Sequence, residues 1–182
     1  MRYDGGNMET KALSKEQLAQ LKELLTGFDI RQTCEILLGL DQNIDVAIYA
    51  NTKYSHEQMC QLRRGLINGV DVSIYADPRL NYQQMCLIRN ALENGIDASA
   101  LANPRFNQWQ TEVIRDGLAA GLDVAVYADP KFDFGQMVQI YLGLKAGVDV
   151  SVYADPKNGQ YQMGKIRESL EANAKRKSGK ND

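Results

Sequence analysis

The apolar positions of this chain follow one pattern that keeps returning. Met85, Ile88 and Leu92 recur at spacings of three and four, which puts them on one face of a helix. Before them stands a shorter apolar cluster, Val72, Ile74 and Tyr75, closed by Asp77-Pro78. The residue preceding a proline avoids helical dihedrals, so this cluster has room for a single turn, α or 3₁₀. Segments beginning at Val46, Val72, Ala98, Val124 and Val150 align without a gap, each 26 residues after the last (72 − 46 = 26). A period of that size marks a helical repeat, in which stacking buries what one unit cannot bury alone. The pattern predicts an all-α solenoid, each unit supplying one short turn and one helix of about thirteen residues.

Polar punctuation fixes the boundaries. Asn81 is placed to cap the long helix with Gln84 reaching back from its third position, a capping box. The pair recurs as Ser14 with Gln17, Asp29 with Gln32, Ser55 with Gln58, Asn107 with Gln110, and Asp133 with Gln136. Apolar residues five apart around the caps, such as Tyr54 with Met59 and Leu80 with Met85, form hydrophobic staples. Gly69, Gly95, Gly121 and Gly147 share a column with Asn43 and Asn173, the residue types that tolerate the left-handed conformation ending a helix. An aspartate two residues later, as at Asp71, caps the next short turn. A second small column, Gly39, Gly65, Ala91, Gly117, Gly143 and Ser169, lies within the long helices and predicts close approach by a neighbouring backbone. The expected organisation is a flexible stretch 1–12, abbreviated capping units over 13–45, five repeats (46–71, 72–97, 98–123, 124–149, 150–175) and a disordered basic tail 176–182.

Composition narrows the function. Aliphatic and aromatic residues at 44% and charged residues at 24% are ordinary for a folded domain, and a net charge of −2 gives no general attraction to nucleic acid or acidic lipid. No run of eighteen apolar residues occurs and MRYDGGNMETK contains no signal region, so a soluble cytoplasmic protein is expected and no membrane partner. Catalytic chemistry finds little support. Cys34, Cys60 and Cys86 occupy one column at intervals of 26, about a helix spacing apart and too distant for a disulfide. His56, the single histidine, has no partnered nucleophile, the recurring aspartates serve as caps, and no glycine loop precedes a helix to cradle phosphate. A non-enzymatic binding scaffold without metal or cofactor is the expectation.

Binding residues are then those that the scaffold does not require. Two columns are basic: Lys53, Arg79, Arg105, Lys131 and Lys157 after the Asp-Pro turn, and Arg63, Arg89, Arg115 and Arg167 within the long helix, where Tyr141 interrupts. They are open to two readings, a file of cations meeting phosphates or an acidic groove, and salt bridges to neighbouring aspartates. Tyr82, Trp109, Phe134 and Tyr161 fall near the start of long helices, where interface anchors and interhelical packing are both open.

The motif YADP-x-F-x-x-x-Q-M-x-x-I-R-x-G-L-x-x-G-V-D-V, present with substitutions from Tyr75 to Ala98 and from Tyr127 to Val150, resembles repeats in proteins of gut Firmicutes and their mobile elements. Stand-alone chains of this size and repeat type resemble anti-CRISPR inhibitors of the type II RNA-guided DNA nuclease. The resemblance covers roughly residues 13 to 175 and lies in structural positions, so it transfers no functional residue. It implies a phage or mobile-element protein that binds the type II effector nuclease, with or without guide RNA, and blocks target binding or cleavage. An acidic, DNA-mimicking face is not what this composition offers, which favours protein contact with possible DNA contact. A general protein-interaction solenoid and a nucleic-acid-binding repeat protein are the alternatives.

Overall fold

The computed structural model describes residues 14–178. Among them the chain is all-helical, with seven α-helices and no strand. The helices are α1 (Lys15–Leu24), α2 (Ile30–Asp41), α3 (His56–Ile67), α4 (Tyr82–Glu93), α5 (Gln108–Ala119), α6 (Phe134–Lys145) and α7 (Gln160–Ser178). Five 3₁₀ turns stand between them from α2 onward, at Val46–Ile48, Val72–Ile74, Ser99–Leu101, Val124–Val126 and Val150–Val152. From α2 to α7 each helix packs on the next in the chain, and one continuous apolar cluster runs from Ile36 to Met163. No helix of the described residues is long and apolar enough to cross a membrane.

The capping chemistry accounts for where the helices begin and end. All six expected boxes are formed, with the cap side chain accepting from the N3 backbone and the N3 glutamine accepting from the cap backbone. At the other end Gly69, Gly95, Gly121 and Gly147 take φ of 67–72° and Asn43 takes 55°. The following amide donates back to the small-residue column, as Val70 N does to the Gly65 carbonyl at 3.1 Å while Gly69 N donates to Leu66, which is the Schellman pattern.

The structure departs from the sequence pattern in three places. Helices α2 to α6 are twelve residues long, and the third 3₁₀ turn is displaced by one residue so that Ala98 precedes it without a side-chain cap. Helix α7 runs through Asn173, which is not left-handed, to Ser178, because no glycine interrupts that stretch of good helix formers. Residues 176–178, expected in a disordered tail, are therefore helical; residues 179–182, like the expected flexible stretch 1–12, lie outside the described residues. Third, the small column admits a side chain and no backbone. A Cβ on Gly39, Gly65, Gly117 or Gly143 would stand 1.9 Å from the hydroxyl of Tyr49, Tyr75, Tyr127 or Tyr153 respectively. Each of these hydroxyls donates to a carbonyl of the preceding helix, at Glu35, Gln61, Val113 and Gln139, over 2.9–3.2 Å.

The four tyrosines are at most 1% exposed, and desolvation pushes their phenols up, to about 12 at Tyr49 and Tyr153 and upward also at Tyr75 and Tyr127. The fold thus favours the neutral phenol relative to an unfolded value near 10. Their contribution is fully present below pH ~10 and is lost as pH rises from there through the folded values, by at most about 1.4 kcal/mol per tyrosine per pH unit. Urea titrations at increasing pH are expected to show the midpoint dropping steeply above pH ~10, and less steeply in Tyr75→Phe. A flat midpoint to pH ~12 contradicts this coupling.

Candidate interaction surface

The mid-helix arginines turn inward. Arg63 is 9% exposed and donates to the Glu35 carboxylate at 2.8 Å and the Gln42 amide oxygen at 2.9 Å. Arg89, 3% exposed, donates to Gln61 at 3.0 Å and pairs with Glu93. Arg167 reaches Gln139 at 3.1 Å and pairs with Glu171 and Glu168. In all three the acceptor stands 28 residues earlier, on the preceding helix (63 − 35 = 28). Arg115 has Leu87 at that place, which accepts nothing, and folds onto Asp116 at 2.6 Å instead. Tyr141 faces the same offset from Val113, an apolar pair that needs no guanidinium. Arg63 and Arg89 are therefore corrected from binding candidates to interhelical ties, and desolvation of a charge without such partners would be costly.

The turn cations stay outside. Lys53, Arg79, Arg105, Lys131 and Lys157 are all exposed, and each backbone amide donates to the side chain two residues earlier, at Asn51, Asp77, Asn103, Asp129 and Asp155. Arg79 forms a fork with Asp77 at 2.7–3.0 Å, and Lys131 lies 3.7 Å from Asp129. Among the described residues no carboxylate pairs with Lys53, Arg105 or Lys157. Two of these three, Lys53 and Arg105, follow a turn that carries asparagine, whereas Lys157 is unpaired although its turn carries Asp155.

The aromatics stand on the first turns of four consecutive, mutually packed helices: Tyr82 on α4, Trp109 on α5, Phe134 on α6 and Tyr161 on α7. Their exposures are 44%, 59%, 43% and 74%. Trp109 and Phe134 meet with ring centroids 6.2 Å apart and planes tilted by 52°, so they pack on each other while remaining open to solvent. Lys165 lies 4.5 Å above the Tyr161 ring. Two shallow cavities open beside this row, one of about 220 Å³ around Tyr82, Gln83, Cys86 and Leu87, the other of about 360 Å³ around Tyr161, Lys165 and Glu168. The neighbouring position of α6 is Gly135, where a Cβ would strike the Gln160 side chain at 1.5 Å.

The cysteines are free, and burial pushes the Cys60 thiol up, away from the thiolate a nucleophile requires. His56 Nδ1 lies 3.2 Å from the Glu57 carboxylate in the first turn of α3. Among the described residues no group of three or more His, Cys, Asp or Glu side chains could hold a metal ion. What the surface offers is a row of exposed rings on a closely tied helical frame, with cations at the turns. No protein family, curated protein or solved structure matches this chain.

Proposed function

We propose that the chain is a solenoid of 26-residue units that works by binding, and that it inhibits the type II RNA-guided DNA nuclease by occupying it. The observation that carries the binding reading is the file of Tyr82, Trp109, Phe134 and Tyr161 on successive helices. Rings of this size left in solvent, on helices whose recurring cap glutamines and turn tyrosines are satisfied internally, are suited to anchoring a protein partner. The choice of partner rests on the resemblance of the YADP repeat to anti-CRISPR proteins. Such a protein acts in the cytoplasm of a bacterial host, as part of a phage or mobile element. A net charge of −2, with the turn cations partly matched by aspartates, favours contact with the nuclease itself over imitation of DNA.

Titrating the protein into a plasmid-cleavage reaction of the guide-loaded nuclease is expected to suppress cutting near stoichiometry. Trp109→Ala with Phe134→Ala is expected to raise the required concentration by about tenfold or more, the effect of removing a central aromatic anchor. Undiminished cutting at large excess, with no co-elution, rejects the proposal. Direct nucleic-acid binding is the second reading, favoured by exposed Lys53, Arg105 and Lys157. It requires DNA affinity that falls steeply with salt and drops in the alanine variants of those residues.

A further inference from the structure

The first two helices leave an apolar cleft open. Leu21 and Leu24 of α1 and Leu37 and Leu40 of α2 line a cavity of about 610 Å³, with Gln17 and Asp41 among its polar groups. Helix α1 buries none of its own residues, and its packing on α2 falls short of that between any later pair of consecutive long helices. Leu18, Leu37, Leu38 and Leu40 remain 41–44% exposed.

The sequence period shows what this surface is. Counting 26 residues on from Leu40 gives Leu66, Leu92, Leu118, Leu144 and Leu170, all half-buried against the continuous core. At the place of Leu37 the following unit has Arg63, tied to α2 through Glu35. Leu37 and Leu40 therefore belong to the face that each later helix presents for packing, and here that face is covered only by a loosely held ten-residue helix. The far end of the row does not complement it. Among the described side chains of α7 the exposed ones are polar apart from Tyr161, Ala172 and Ala174, and they include Gln162, Lys165 and Glu168; seating these on leucines would bury charge without partners. A head-to-tail contact is thus disfavoured, whereas the cleft of a second copy offers the same leucines across a two-fold axis.

We propose that the chain self-associates head to head, α1 and α2 of one copy meeting α1 and α2 of another. The contact extends the helix-on-helix packing that already runs from α2 to α7. It leaves the aromatic row of both copies free and so makes the particle bivalent for whatever that row binds.

Sedimentation equilibrium of the full chain, from micromolar to sub-millimolar concentration, is expected to show a reversible monomer–dimer mass. Leu37→Glu with Leu40→Glu is expected to weaken the association at least about tenfold, while Tyr161→Ala leaves it unchanged. A monomer mass throughout, or an undiminished dimer in the two-site variant with its helical signal intact, overturns the proposal. Should that variant fail to fold, hydrogen exchange of the wild type decides. Protection over residues 18–41 that rises with concentration supports the dimer. Protection independent of concentration overturns it, and leaves the cleft to residues 1–13 or to another protein.

Discussion

Gly65→Ala is expected to destabilise the protein by about 2–4 kcal/mol, although alanine is the better helix former by about 1 kcal/mol. The new Cβ would stand 1.9 Å from the Tyr75 hydroxyl and 2.9 Å from Val72 Cγ1. Tyr75 is fully buried, so its rigid ring has nowhere to retreat, and moving it breaks the bond its hydroxyl donates to the Gln61 carbonyl. A buried hydroxyl left without a partner costs about 1–3 kcal/mol, and overpacking adds a similar amount. The chain contains its own control. One unit later the tyrosine is Leu101 and the glycine is Ala91, both buried, so the methyl group occurs where the hydroxyl is absent. Gly65→Ala combined with Tyr75→Leu is therefore expected to recover most of the loss. The measurement is urea unfolding of the two single variants and the double variant. Coupling above about 1 kcal/mol is expected, and additivity within about 0.5 kcal/mol means that the two positions do not share one space.

That pair also shows how far the sequence could be read. Caps, staples and glycine stops are local, encoded within a few residues, and they located every described helix from α1 to α6 to within a residue or two. The small column announced a close approach without saying by what, because a backbone and a side chain both require the missing Cβ. The joint exchange of Gly for Ala at Ala91 and of Tyr for Leu at Leu101, on either side of one repeat boundary, was the available clue. The mid-helix arginines stayed open between two readings for a related reason: a mid-helix charge looks the same in sequence whether it faces water or the preceding helix. Their partners 28 residues back, Glu35, Gln61 and Gln139 against Leu87 and Val113, distinguish the cases, but only once consecutive helices are known to pack. The aromatics were legible because they break the repeat. Leu37 and Leu40 were not, since an apolar face at the edge of an array reads the same as one inside it.

The glutamines of the capping boxes carry the second large effect. A capping box accepts Glu as readily as Gln, yet every box from α2 to α6 uses glutamine. The reason is the other half of the amide. Nε2 of Gln32, Gln58, Gln84, Gln110 and Gln136 donates across to the carbonyl of Tyr54, Leu80, Phe106, Phe132 and Asn158, the residue before the next helix cap or, for the last, before Gly159. One side chain thus closes its own helix start and fastens the next segment, and a carboxylate can do only the first. Gln84 is 1% exposed, so Gln84→Glu would hold an oxygen against the Phe106 carbonyl without water to screen it. The neutral acid restores the donor, which raises the folded pKa of the introduced carboxyl above its ordinary value near 4.3. With the folded value raised, stability is retained below pH ~4 and lost as pH rises, by up to about 1.4 kcal/mol per unit, until the folded pKa is passed. The favourable field of the helix start on a carboxylate, about 0.3–1 kcal/mol, opposes this and is smaller. Gln84→Glu is accordingly expected to resemble the wild type near pH 4 and to be weaker by about 2–4 kcal/mol at pH 7, whereas Gln84→Ala loses both bonds at every pH. Equal urea midpoints for wild type and Gln84→Glu at neutral pH would show that the interhelical donor contributes nothing, and that the glutamines are caps alone.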